Sequence, residues 1–192
     1  MKFYGQYKLD KTLYERYFTD FSGTGVCLEC GAVDGEHISS TKFFEETLGW
    51  QAINIEPHPN SFSQLIVKRP KAININLALS DEKGEAHLVT GKNFFLRAYL
   101  VKKCRKNTVV IQKGIYRDVV AKLPIDHIDL MVLDVEGHEL SVIKGMADAV
   151  ILPKILCVEV NRVGRSAMKI AMDEMGYRFD SKININDVYI KI

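Results

Sequence analysis

A doubly wound α/β fold, with helices on both faces of a central, mostly parallel sheet, is what this sequence predicts, and three observations carry the prediction. Short apolar runs alternate with segments of helical period, as successive βαβ units require. Several of those runs are apolar throughout, which suits strands covered on both faces. Glycines and acids gather just after them, at the end of the sheet where such folds bind ligands. With 192 residues the chain suits one well-packed domain and is short for two, so residues 1–192 are read as a single domain.

The elements follow in order. Lys11 to Asp20 spaces Leu13, Tyr14, Tyr17 and Phe18 as a short amphipathic helix (about 10–20) lying against the domain. Gly25 to Gly31 is a brief apolar strand. A helix from about Ser39 to Leu48 follows, with Ser39, Ser40 and Thr41 as caps, Phe43, Phe44, Thr47 and Leu48 inward, and Gly49 as its stop. The strand QAINIE runs into Pro57, and a helix covers Asn60 to Lys68. After Pro70, AININLALS reads as a third strand, and a turn at Lys83-Gly84 starts a small extra strand. The stretch from 91 to 122 is a variable covering segment, with a short helix near Phe94 to Lys103 and a strand at Thr108 to Gln112. A strand at Ile128 to Leu133, a helix from Glu139 to Gly145 and the strand ILCVEV complete the alternation. The last helix spans about Ser166 to Met175, with Ile170, Ala171 and Met175 inward, and a two-stranded antiparallel hairpin ends the chain.

Composition excludes more than it selects. The 26 basic and 24 acidic residues leave a net charge of +2, too balanced to imply nucleic acid. One local excess, Arg97, Lys102, Lys103, Arg105, Lys106 and Lys113, would attract an anionic acceptor if it faced a site. No apolar run is long enough to cross a bilayer, and the first eighteen residues lack the apolar core of a signal peptide, so the expected compartment is the cytoplasm. Cys27 and Cys30 have CxxC spacing, yet on a strand they point to opposite faces, which suits neither a shared metal nor a disulfide.

The chemistry is read at the strand ends. Glu29, Gly31, Ala32, Asp34 and Gly35 form a turn after the first strand, where glycines let the backbone approach a ligand. Its two carboxylates are poor hosts for a pyrophosphate and good ones for an ammonium and a sulfonium, which favours S-adenosylmethionine over NAD. Glu56, before Pro57, ends the second strand where an acid accepts from ribose hydroxyls. Ser80 and Asp81 end the third, with Asp81 placed either for an adenine amino group or as a cap of the next turn. Asp134, Glu136 and His138 form the densest ionisable cluster; His138 is the natural general base, its proton affinity raised by neighbouring carboxylates. Helix capping accounts well for Glu139. His37, Glu159 and Asn161 are candidate acceptor-binding residues, and nothing in the spacing of Asp134, His138 and Glu159 calls for a metal.

On these stretches the chain resembles the FkbM-type methyltransferases, a branch of the Rossmann-like class I S-adenosylmethionine-dependent enzymes. The likeness rests on GVCLECGAVDGEHISSTKFFEETLGWQAINIEPHPNSF, NLALSDEKGEAHL, IDLMVLDVEGHELSVIKG and ILPKILCVEVN. The pairing of EPxP with DVEGHE is its most specific part. The resemblance implies a seven-stranded sheet with the last strand antiparallel. It also implies that Glu29 to Gly35 cradle the methionine part of the cofactor, that Glu56 takes the ribose, that Asp81 lies by the adenine, and that Asp134 to His138 face the methyl group. It implies O-methylation of a hydroxyl on a sugar or other small metabolite. The loop departs from the family's usual Ser-Asn-Thr triplet, reading Ser39-Ser40-Thr41. Three other readings stay open: an RNA or nucleotide-cap acceptor drawn by the basic segment, a nucleotide-binding oxidoreductase, and a non-catalytic binding module.

Overall fold

The computed structural model describes residues 1–89, 99–101 and 108–192. In chain order they form α1 (Leu9–Tyr17), β1 (Val26–Cys30), α2 (Lys42–Leu48), β2 (Gln51–Ile55), α3 (Pro59–Lys68) and β3 (Ile73–Ile75). Then come β4 (Ala78–Ser80), β5 (Gly84–Val89), β6 (Tyr99–Val101), β7 (Thr108–Ile115) and α4 (Tyr116–Val120). The remainder is β8 (Ile128–Leu133), α5 (Glu139–Gly145), β9 (Pro153–Glu159), α6 (Arg165–Glu174), β10 (Tyr177–Ile183) and β11 (Asn186–Lys191).

Seven strands make the main sheet, in the order β10-β11-β9-β8-β1-β2-β3. From β3 to β9 every pairing is parallel, and β11 runs antiparallel to both β9 and β10. The order reverses at β1, whose successor β2 lies on one side and whose other neighbour is β8. That switch point opens the crevice in which such sheets hold ligands.

The two faces of the sheet carry different cores. Cys27 joins Leu13, Phe43, Phe44 and Trp50 on one face, while Cys30 joins Leu133, Val142 and Met146 on the other. The two thiols of the CxxC are therefore a sheet thickness apart, as strand geometry requires. Burial holds both well above the ordinary thiol pKa. The first core is aromatic, with Phe18 and Phe44 both edge-on or tilted against Trp50 at ring separations of 5.0 and 4.9 Å. Each such pair adds about 0.5–1.5 kcal/mol to the burial of its rings.

Some details of the sequence reading change. AININLALS is two strands, because the chain leaves the main sheet after Ile75 and Ala78–Ser80 pairs instead with β7. The described part of the 91–122 segment supplies β6 and β7 to a second sheet, β4-β7-β5-β6. The helix expected near Phe94 to Lys103 is strand β6 at Tyr99–Val101, and its other residues lie outside those described. On α6 Met168 and Met172, four apart, are the fully buried pair, Ala171 and Met175 pack against the same core as expected, and Ile170 is exposed. Thr47 of α2 is exposed as well. Helix α4 had no clear periodic signal, being five residues long.

Candidate active site

Three strand ends are stitched together at the switch point. Gly31 and Ala32 donate backbone N–H bonds to Ile55 O at 3.0 and 3.2 Å, and Asp134 N donates to Cys30 O at 3.1 Å. Gly31 sits at φ +90°, and a Cβ there would stand 1.9 Å from the Asp134 carbonyl oxygen. Only glycine lets the end of β1 pass that close to the end of β8. Gly35, at φ +75°, is likewise pressed against Leu65 and Arg69 of the α3 region. Both glycines thus allow close backbone and helix packing, and of the two Gly31 also lines the cleft.

The loop after β1 is organised around a buried ion. Ser39 Oγ and Thr41 Oγ1 donate to Glu29 Oε2 at 2.6 and 2.7 Å, and Ser40 N donates to Oε1 at 2.6 Å. The Ser39-Ser40-Thr41 triplet therefore binds this carboxylate, and the N-cap residue Thr41 makes no side-chain cap of α2. Arg69, 1% exposed, lies behind it. Its guanidinium donates to Gly35 O at 2.9 Å, Ser39 Oγ at 3.1 Å and Thr41 Oγ1 at 3.4 Å, and pairs with Glu45. Ser39 Oγ also accepts from Lys42 N at 3.2 Å, so the one proton of that hydroxyl is directed to Glu29. The sequence offers no signal for Arg69, an arginine between a helix-ending lysine and a proline.

Asp34 is turned the other way. Its Oδ1 accepts from Glu36 N and His37 N at 3.0 and 2.8 Å, and its Oδ2 pairs with Lys68. Burial pushes its pKa up, but Lys68 and the two backbone donors outweigh that and hold it below the ordinary range. Neither Asp34 nor Gly35 lines the cleft at the switch point, whereas Glu29, Gly31 and Ala32 do.

Glu56 forms the next wall with Pro57. It is buried, and its two oxygens accept from Val33 N and His58 N at 2.9 and 2.8 Å. Burial pushes its carboxyl up to about 7, against the downward pull of those two donors. His58 caps α3 by accepting at Nδ1 from Asn60 N and Ser61 N and also reaches the cleft.

The loop after β8 gathers carboxyls. Asp134 is pushed well above the carboxylate range by burial first, then by its hydrogen bond to Glu159 and the nearby charges of Glu159, Glu136 and Glu139. Asp134 Oδ1 is buried with no hydrogen-bond partner among the described residues. Asn161 Nδ2 donates to Glu159 Oε1 at 3.0 Å, so the two predicted acceptor residues at the end of β9 hold each other. Glu136, at φ +57°, pairs with Arg162 at 2.7 Å. Glu139 accepts from Val135 N and Gly137 N at 3.1 and 3.0 Å, the capping role read for it.

His138 reaches the cleft with Asp134 and Glu136. Its pKa is lowered: burial outweighs the upward pull of Asp81 and Glu82, and Lys113 adds to the lowering. The expected upward pull of carboxylates is present, from Asp81 and Glu82, but burial of the ring outweighs it. Ser80 and Asp81 are absent from the cleft wall, as are Glu159 and Asn161. His37 is present, beside Gln6 and Leu9 from the N-terminal segment and Ile185 and Asn186 from the hairpin tip. Leu88 and Leu100 of the second sheet close the side by β4.

The cleft encloses about 1200 Å³, its open mouth included. Four carboxyls line it, Glu29, Glu56, Asp134 and Glu136, and among the described residues no lysine or arginine does. No three His, Cys, Asp or Glu side chains among those residues are grouped to hold a metal ion.

Residues 29–179 match the model of the methyltransferase FkbM domain. The chain belongs to this FkbM family. No curated protein matches its sequence. Among solved structures, the FkbM domain described here is similar to methyltransferase FkbM from Methylobacillus flagellatus KT, with TM-score 0.58 and 17% identity. That alignment covers 94% of this chain and 47% of the other, so the chain spans about half of that relative's length. It is also similar to the METTL16 MTase domain, at TM-score 0.55 and 9% identity over 96% of this chain and 65% of that one. A TehB-like SAM-dependent methyltransferase from Corynebacterium glutamicum ATCC 13032 aligns at TM-score 0.51 and 11% identity, covering 100% of this chain and 89% of its own. At these identities the likeness is one of fold. No helix among the described residues of the FkbM domain is long and apolar enough to cross a membrane.

Proposed function

We propose that this FkbM domain binds S-adenosylmethionine in the switch-point cleft and methylates a hydroxyl oxygen of a neutral acceptor, a sugar or other small metabolite. The observation that carries the reading is the make-up of the wall: four carboxyls, no lysine or arginine among the described residues, and the unpartnered Asp134 Oδ1, a carboxyl that a bound cation would draw into its ionised form. Such a wall suits a sulfonium and an ammonium and repels a pyrophosphate, which argues against NAD. The residues therefore fit the cofactor. Glu29 and the backbone of Gly31 and Ala32 would hold the methionine part, Glu56 the ribose hydroxyls, and Asp134 a positive group.

When bound, S-adenosylmethionine supplies an electrophilic methyl group. The chain's own residues do the rest. Neutral His138 accepts the proton of the acceptor hydroxyl as the oxygen becomes nucleophilic, and its burial-lowered pKa keeps it neutral at physiological pH. Glu136, held by Arg162, and Asp134 face the same space and stabilise positive charge there. Orientation by the walls supplies much of the acceleration.

The same wall counts against an anionic acceptor. Of the basic residues read from the sequence, Lys113 is paired with Glu82, and Arg97, Lys102, Lys103, Arg105 and Lys106 lie outside the described residues. An RNA or cap acceptor has no described cation in the cleft to receive it. Calorimetry with S-adenosylhomocysteine and with NAD tests the cofactor. Micromolar binding of the former alone supports the reading; binding of NAD alone supports an oxidoreductase, and binding of neither a non-catalytic module. Transfer of a labelled methyl group to neutral sugars and to capped RNA, side by side, tests the acceptor.

A further inference from the structure

Ser80 and Asp81 stand behind His138 rather than in the cleft. Ser80 ends β4, is fully buried, and its Oγ lies 3.0 Å from His138 Nε2 and 3.2 Å from Asp81 Oδ1. The two elements that bring them together leave no slack. A Cβ on Gly145 of α5 would stand 2.1 Å from the Ser80 carbonyl oxygen, so α5 rests directly on the end of β4. His138 immediately precedes α5, and Lys144 near its end reaches Asp81 Oδ2 at 3.3 Å. The helix thus grips the Ser80-Asp81 pair at both of its ends.

A serine hydroxyl has one proton to give, and two acceptors compete for that of Ser80. Asp81 offers a full negative charge. Burial works against that charge, but Lys144 and Ser80 itself outweigh it and keep the carboxyl below its ordinary pKa. A charged acceptor makes the stronger hydrogen bond. The proton of Ser80 therefore points to Asp81, and His138 must be the donor at Nε2. The lone pair of the neutral ring is then at Nδ1.

We propose that Ser80 and Asp81 are positioning residues that fix His138 as its Nε2–H tautomer, so that Nδ1 is the nitrogen that takes the acceptor's proton. The chain Nε2–H to Ser80 Oγ, and Ser80 O–H to Asp81 Oδ1, orients the ring and stabilises the imidazolium formed when Nδ1 is protonated. The assignment replaces an adenine contact with a role in catalysis. It rests on His138 being the base in the reading above.

The test needs neither cofactor nor acceptor. Nitrogen-15 NMR of the histidine-labelled protein at about pH 8, where a ring of lowered pKa is neutral, reports which nitrogen carries the proton. The signals of His138 are identified by their loss in His138→Ala. The wild type is expected to show protonated Nε2 and bare Nδ1. Ser80→Ala and Asp81→Ala are expected to draw the two resonances toward each other as the tautomers mix, with Asp81→Ala deciding if the buried Ser80→Ala does not fold. A wild-type ring protonated at Nδ1, or a tautomer indifferent to removing Asp81, overturns the proposal. Because no ligand is present, that failure is separate from failure of the methyltransferase reading, which titration with S-adenosylhomocysteine reports on the same samples.

Discussion

The loop after β1 and the loop after β8 flank the same cleft, and they are built on opposite principles. In the first, each acid has its partners within the protein. Glu29 receives three donors, Arg69 braces two of them, and Asp34 is closed by Lys68 and two backbone N–H groups. In the second, Asp134 Oδ1 and Glu139 Oε2 are buried without partners among the described residues. Unmatched buried polar atoms are costly, about 1–3 kcal/mol each. A fold keeps them where a ligand supplies what is missing. The β1 loop holds a shape; the β8 loop holds open valences.

If that division is right, the largest effect belongs to the brace. Arg69→Met removes the cation from a set that includes Glu45 and, through Ser39 and Thr41, Glu29. Stranding buried carboxylates in this way costs about 3–5 kcal/mol. Urea denaturation should show that loss, while Lys at this position, which cannot reproduce the guanidinium fork, should recover only part of it. A loss under about 1 kcal/mol would mean the β1 loop is not held from behind.

Next comes the open side. His138→Ala should slow methyl transfer by about a hundred- to ten-thousandfold and leave the affinity for S-adenosylhomocysteine nearly unchanged. The ring lines the cleft without holding the loop's backbone: α5 begins with no side-chain cap from His138. Single-turnover transfer with saturating acceptor separates the two quantities. An equal loss in both would place His138 in the binding of the cofactor.

Glu56 lies between the two regimes, tied by Val33 N and His58 N yet pushed up to about 7 by burial. A ribose hydroxyl donates to a carboxylate, so the bound ligand prefers the ionised form. Affinity for S-adenosylhomocysteine should therefore strengthen as pH rises from about 6 to about 8, by up to about tenfold per unit below the pKa. Glu56→Gln sets an amide N–H against one of the two backbone donors, and should weaken binding about 10- to 100-fold and flatten its pH dependence. A pH-independent affinity in the wild type would remove Glu56 from the ribose site.

Much of this was legible beforehand, and the exceptions have a common cause. The apolar runs of β1 and β8 and the hairpin of β10 and β11 were plain because both patterns are local. Glu29, Glu56, Asp134 and His138 followed from one rule, that strand ends face the ligand. The direction of a side chain is not local. Glu29 and Asp34 are five residues apart across the end of β1, and only the placement of Lys68 and Arg69 at the end of α3 sorts them. The split of AININLALS is non-local as well, since β4 exists only by pairing with β7, some thirty residues on. Gln6, Asn186 and Ile185 reach the cleft from the two ends of the chain, and no motif marks them.

The smallest expected effect is the sharpest check on the division. Read from the sequence, Asp34 is a cofactor ligand; placed in the fold, its oxygens are occupied by Lys68, Glu36 N and His37 N. Asp34→Asn keeps an acceptor for the turn and loses the pair with Lys68, whose side chain is 32% exposed. A pair so open to water contributes about 0–1 kcal/mol. Because the folded carboxyl titrates below its ordinary value, that contribution is present above the unfolded pKa and fades as pH falls through the folded one. Stability should thus drop by less than about 1 kcal/mol at neutral pH and by nothing in acid, and the calorimetric affinity for S-adenosylhomocysteine should stay within about twofold, under 0.5 kcal/mol. A tenfold weakening would mean that this acid swings from Lys68 to the ligand. The β1 loop would then be a binding loop of the same open kind as its neighbour, and not the frame against which the neighbour works.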